Sequence, residues 1–263
     1  MRYAYFDIHS HLNFPEFDSD RDDILARMRE EGIGTITVGT GLATSREALQ
    51  LAALHEHVFA TVGIHPTDAE EIFDEAAFDV LANNPKVVAV GECGLDYYRD
   101  DAPETKARQK ELFSAHIAFA KKHDLPLMIH GRASRGSQDA YEDILSTLEG
   151  SGCRGNVHFF AGSPDIARRF LDLGFTLSFD GPITFSRDYD EVIRLVPEDM
   201  IMVETDSPFA APAPYRGRRC DPTMVRHVAE AIADIRGVER ESMGKKLVEN
   251  ALRAFKIPGE LRS

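Results

Sequence analysis

Eight short runs rich in apolar and β-branched residues recur along the chain, each followed by a polar turn and then an amphipathic stretch. They are AYFDIHSH (4–11), TITVGT (35–40), VFATVGIH (58–65), VVAVGECG (87–94), LPLMIH (125–130), NVHFF (156–160), FTLSFD (175–180) and IMVETD (201–206). Their starts lie about 28 residues apart, the length of one βα unit. Strands that alternate with helices predict a parallel sheet covered by helices. Eight of them suit a closed α/β barrel, the (β/α)8 TIM barrel, as a single domain over residues 1–263. An open doubly wound sheet would carry a glycine-rich phosphate loop after its first strand, and here NFPEFDSD follows instead.

The intervening helices are legible from their ends. The segment 21–32 sets Ile24, Leu25 and Met28 on one stripe and closes on Gly32. Segment 45–56 has Ser45 as its capping candidate, 106–123 ends in lysines that suit the helix dipole, and 163–174 opens on Ser163-Pro164. Two more helices, near 222–236 and 241–255, complete the chain.

Barrel enzymes build their sites at the C-terminal ends of the strands, so strand ends are the place to look for chemistry. Of the ten histidines, five fall there: His9, His11, His65, His130 and His158. Glu92 ends strand four and Asp206 ends strand eight. Strand alternation predicts that Asp7, His9 and His11 share a face. Two imidazoles on one face repel when both are protonated, and a divalent cation removes that conflict by taking their neutral lone pairs. Six candidate ligands, His9, His11, Glu92, His130, His158 and Asp206, exceed the three protein ligands of one catalytic zinc and suffice for two ions sharing a carboxylate. Glu92, between the two histidine groups, is the expected bridge. Paired ions clamp the attacking and leaving oxygens and lower the pKa of a water, whose proton Asp206 could take. The mixed nitrogen and oxygen set suits magnesium, manganese or zinc alike. His65, ahead of Pro66, could hold substrate, support a ligand or touch a metal. Asp7 is expected to orient a ligand or brace the barrel floor, Cys93 to face the helices, and Asp96 to brace its loop or to serve the site.

Net charge is −14, which disfavours wrapping long duplex nucleic acid yet leaves room for a pocket that takes one phosphodiester at a time. Against that background Arg216, Arg218 and Arg219 cluster in the proline-rich loop 207–222, and Arg132 and Arg135 follow His130. Such groups beside a metal mouth favour an anionic substrate. No G-x-S-x-G elbow competes for the chemistry. Only three cysteines are present, too few and too scattered for a disulfide framework. The first residues lack the basic start and apolar core of a signal peptide, and no run of about 18 apolar residues offers a span. The expectation is a cytoplasmic protein with no membrane and no obligate protein partner.

FDIHSHL, VGIHP, GECGLDYY, LPLMIHGR, VHFFAGS and ETDSPF, in this order and spacing, resemble the TatD-type metal-dependent deoxyribonucleases, and the likeness runs to the closing GKKLVENALRAF. The resemblance implies a (β/α)8 barrel with two divalent ions held by His9, His11, Glu92, His130, His158 and Asp206, Glu92 being shared. It also places His65 near the substrate and implies removal of nucleotides from the 3′ end of single-stranded DNA, with single-strand ends as partner. The chain departs from the family pattern in having Gly131 for serine, Phe159 for cysteine, His116 for glutamine, and an altered loop from Arg216 to Pro222. Its superfamily also contains hydrolases of amides, esters and lactones, which is the alternative activity.

Overall fold

The computed structural model describes residues 2–261. Eight parallel strands follow one another around a barrel: β1 (Tyr5–Ser10), β2 (Ile33–Thr37), β3 (Val58–Val62), β4 (Val87–Asp96), β5 (Leu127–Arg132), β6 (Gly155–Val157), β7 (Thr176–Phe179) and β8 (Ile201–Val203). The first and last strands close the ring at their C-terminal ends. There Ser10 bridges Ser207 in parallel, the His11 N–H donates to the Ser207 carbonyl at 2.7 Å, and the Asp206 N–H donates to the His9 carbonyl at 2.9 Å. Among the described residues no helix is long and apolar enough to cross a membrane.

Among the described residues nine α-helices surround or close the barrel: α1 (Arg21–Glu31), α2 (Leu42–Leu54), α3 (Glu75–Ala82), α4 (Pro103–His123), α5 (Asp139–Leu148), α6 (Pro164–Asp172), α7 (Asp190–Leu195), α8 (Val225–Arg236) and α9 (Arg240–Ala254). Gly32 ends α1 in the left-handed region at φ 72°, and Ser163 caps α6 by accepting the Ile166 N–H. Ser45 is not a cap. Helix α2 begins three residues earlier, and the buried Ser45 hydroxyl accepts the Gly63 N–H at 3.2 Å, tying α2 to the end of β3.

Two apolar layers divide the work. Residues on the outer faces of the strands, such as Ile33, Val62, Cys93, Leu127 and Ile201, pack against the helices. Cys93 therefore faces the helix layer, as its parity requires. Inside the barrel, Phe6, Ile8, Ile36, Phe59, Met128 and Met202 meet Val248 and Ala251 of α9 and Phe255 at its C-terminal cap, which fill the floor. A filled floor leaves the opposite rim as the only end where polar side chains can gather around solvent.

Asp7 corrects the simple alternation. Pairing runs Asp7 to Thr35 and then Ser10 to Thr37, so β1 carries one residue more than its neighbour between those points. Such a bulge re-aims the side chains beyond it. Asp7, flanked by the inward Phe6 and Ile8, leaves the face of His9. Its carboxylate accepts the Thr205 hydroxyl at 2.6 Å, the Thr205 N–H at 3.0 Å and the His9 N–H at 3.1 Å. It braces the seam between β1 and β8.

Candidate metal centre

Six side chains from five strand ends meet at the rim. His9 lies within the bulge of β1 and His11 just past the strand's end, and their Nε2 atoms stand 3.3 Å apart. Glu92 sits on a second bulge, for β4 spends three residues from Val90 to Cys93 while β5 spends two from Leu127 to Ile129. Both bulges fall where a polar side chain must turn into the mouth. Gly94, two residues on, has φ 131°, and any side chain there would strike the His130 carbonyl oxygen. Glycine alone permits that approach.

The two oxygens of Glu92 face different partners. Oε2 lies 3.4 Å from His9 Nε2 and 3.7 Å from His11 Nε2. Oε1 lies 2.8 Å from His158 Nε2, 2.9 Å from His130 Nδ1 and 3.4 Å from His65 Nε2. Asp206 Oδ1 completes the first side, 3.4 Å from His11 Nε2 and 3.8 Å from His9 Nε2. Asp206 itself holds φ 52°, a left-handed conformation that an aspartate adopts at some cost and that clusters at functional sites.

Lone-pair atoms therefore converge on each other, and no lysine or arginine enters the cluster among the described residues. Groups able to hold a metal ion include His9, His11 and Asp206, and His65, Glu92 and His130. The charge distribution agrees. Burial alone would raise Glu92, but the imidazoles of His158, His65 and His9 reverse that and hold its carboxyl well below the usual range. Burial would likewise lower His158, yet Glu92 and Glu204 push it well above an ordinary imidazole. Asp206, despite burial, is held low by His11 and His9. A nest of such mutually polarised acids and imidazoles suits a cation that replaces their shared protons.

Surrounding groups fix the rings. Asp96 Oδ2 stands 3.1 Å from His130 Nε2, which leaves Nδ1 for Glu92, while Asp96 Oδ1 accepts the N–H groups of Tyr98 and Arg99. Asp96 thus both braces its loop and aims a ring. Glu204 was not singled out in the sequence, although two-residue spacing from Asp206 would have found it. It is fully buried, lies 3.3 Å from His158 Nδ1, and accepts the Phe159 N–H and the Ser178 hydroxyl. Asp180, at the end of β7, is a second omission: its buried Oδ2 has no hydrogen-bond partner, and burial with Glu204 and Asp206 nearby raises its pKa well above normal.

The mouth encloses about 810 Å³, within the range of small-ligand sites. Arg132 and Arg135 line it, and the Arg132 guanidinium lies over the Tyr98 ring at 4.0 Å. Arg216 and Arg218 are not among the described residues that line it. Arg216 covers the Phe185 ring, and Arg219 turns to Asp20 and Phe17 on the outside. Sequence proximity within the loop did not translate into a shared direction.

His116 supports the mouth from α4. Its Nδ1–H donates to the Leu112 carbonyl at 2.8 Å, and Nε2 accepts the Ile64 N–H at 3.0 Å, holding the residue before His65. Only the neutral ring can do both. Burial lowers its pKa to about 4, so the folded protein binds fewer protons there than the unfolded chain, whose imidazole titrates near 6.5. This contribution is complete above pH 6.5 and is lost as pH falls toward and through 4. About 3 kcal/mol is at stake. In urea melts, His116→Gln should lose that much less stability between pH 7 and pH 4 than the parent; parallel losses would refute the assignment.

Comparisons with known proteins agree with this architecture. The family model for TatD related DNase matches residues 6–256. An uncharacterised metal-dependent hydrolase of Bacillus subtilis, YabD, is 38% identical over 260 residues, covering 96% of this chain and 99% of its own. The 3′-5′ ssDNA/RNA exonuclease TatD of Erwinia billingiae is 32% identical over 269 residues, covering 96% and 99%. Among solved structures, the TatD homologue YJJV of Escherichia coli superposes with a TM-score of 0.89 at 27% identity, covering 98% of this chain and all of that one. With barrel, rim cluster and whole-length likeness in accord, the chain belongs to the TatD family of metal-dependent hydrolases.

Proposed function

We propose that the chain hydrolyses phosphodiesters with two divalent ions and trims single-stranded DNA from its 3′ end. The observation that carries the reading is the two-sided carboxylate of Glu92, one oxygen turned to His9 and His11 and the other to His130 and His158. His9, His11 and Asp206 would hold one ion with Glu92, and His130 and His158 the other. Magnesium, manganese and zinc all accept such a donor set. Bound divalent ions supply Lewis acidity and lower the pKa of a coordinated water.

The chain's own groups do the rest. Asp206, held ionised beside His11, is placed to take the proton of the attacking water. His65 lies beside His130 at 3.3 Å, where it can donate to a phosphoryl oxygen of the bound strand. Arg132 brings positive charge to the wall of the same mouth. The enclosed shape and the acidic body both favour a flexible single-strand end over duplex.

Metal-stripped protein should therefore release mononucleotides from 5′-labelled single strands, shortening them from the 3′ end, when Mg²⁺, Mn²⁺ or Zn²⁺ is restored. Strands blocked at the 3′ end should resist. No nucleotide release with any of the three metals, together with turnover of simple esters or lactones, would replace this reading with the small-molecule one.

A further inference from the structure

The mouth has two unlike sides. Because the barrel strands follow chain order and close between β1 and β8, the loops after β8 and β1 are neighbours and stand across from those after β4 and β5. The first side is aromatic. Phe14 stacks on the His11 ring at 4.5 Å and 21°, and Phe209 meets His11 edge-on at 6.2 Å. Phe209 lines the mouth while 52% exposed, more than any other aromatic side chain among the exposed large hydrophobics. An apolar ring left in water beside a reactive cluster has a use when something flat covers it.

The facing side is cationic. Arg99, Arg132 and Arg135 all line it, and Arg135 makes no ion pair or hydrogen bond among the described residues. In a chain of net charge −14 whose arginines are mostly paired with acids, an unpaired guanidinium at the mouth is available to an anion. The candidate metal cluster lies between the two sides.

The geometry points to a division of labour along the strand: Phe209 is a stacking face for the terminal base, and Arg135 across the mouth holds a phosphate of the chain leading away. This inference rests on the nuclease reading and adds to it the rule by which an end is selected. Stacking is tolerant of base identity because every base has a π face, whereas removal of the base abolishes it. The site should thus prefer an end that carries a base, with little regard to which base.

The test uses the full-length protein with Mg²⁺ and a short strand whose last linkage is a hydrolysis-resistant phosphorothioate. In one version the 3′-terminal residue is 2-aminopurine, which loses fluorescence on stacking; in the other it is abasic. The wild type should quench the 2-aminopurine and bind the base-bearing end about 5–100-fold more tightly than the abasic one. Phe209→Ala should lose both the quench and the preference, and Phe209→Tyr should keep them. Arg135→Ala should weaken both strands equally and flatten the salt dependence by about 0.7 in the log–log slope. A wild type that shows no quench and no preference overturns the inference, as does a preference that survives in Phe209→Ala. Failure of the wild type to bind either strand overturns it together with the nuclease reading. Binding with quench but no cleavage of ordinary linkages sinks the nuclease reading and leaves the stacking face standing.

Discussion

Glu92→Gln should lower turnover of a single-stranded substrate by about 10⁴-fold, roughly 5.5 kcal/mol of barrier. The substitution keeps size and shape but removes the one negative charge placed between four imidazoles. It also replaces one lone-pair oxygen by an amide NH₂. Whichever way the amide is turned, either the His9 and His11 side or the His130 and His158 side then faces a donor instead of an acceptor, at distances of 2.8–3.7 Å. A site built for two ions would be left with a binding set for one at most. Elemental analysis should therefore show about two divalent ions per wild-type chain and clearly fewer in the variant, with unchanged circular dichroism. Wild-type ion content in Glu92→Gln would remove the shared carboxylate from the account, and wild-type turnover would remove the paired site altogether.

Much of this arrangement was legible because the barrel imposes a simple rule. Each strand carries its chemistry at its C-terminal end, so His9, Glu92, His130, His158 and Asp206 announce themselves by position. What the sequence could not show was where the period-two alternation breaks. The bulges near His9 and Glu92 each insert one residue, and the first turns His9 into the mouth while Asp7 keeps the outward direction that takes it to the barrel seam. A bulge is a property of two paired strands, and one strand's sequence records only half of it. Three helices escaped for a related reason: α3, α5 and α7 have eight, ten and six residues, at most about three turns in which an apolar period can show. Helix α2 was recognised but started late, because the serine that resembled a cap is committed to Gly63. Arginines of the 207–222 loop were the hardest. Loop side chains take their direction from whatever acid or ring lies nearest, and Arg219 found Asp20 rather than the mouth.

Asp206→Asn should cut kcat by about 10³-fold while leaving KM for the strand nearly unchanged, within the range expected for loss of a general base. The carboxylate lies 3.4 Å from His11 Nε2, and its pKa is lowered despite burial, so in the resting protein it is ionised and carries no proton of its own. Asparagine fits the same φ 52° backbone, since Asn and Asp both tolerate the left-handed region, and the Asp206 N–H bond to His9 across the seam survives. The substitution thus tests charge and basicity without removing the backbone that carries Phe209. Two roles remain entangled at this residue, and metal titration separates them. If Asp206 serves only to retain an ion, raising Mn²⁺ should restore kcat as the ion returns. If it takes the proton, kcat should stay low at every metal concentration, because an amide cannot accept a proton near neutral pH however well the ions are seated. The expectation here is the second outcome, and recovery to within about tenfold of wild type at saturating Mn²⁺ would confine Asp206 to ion binding.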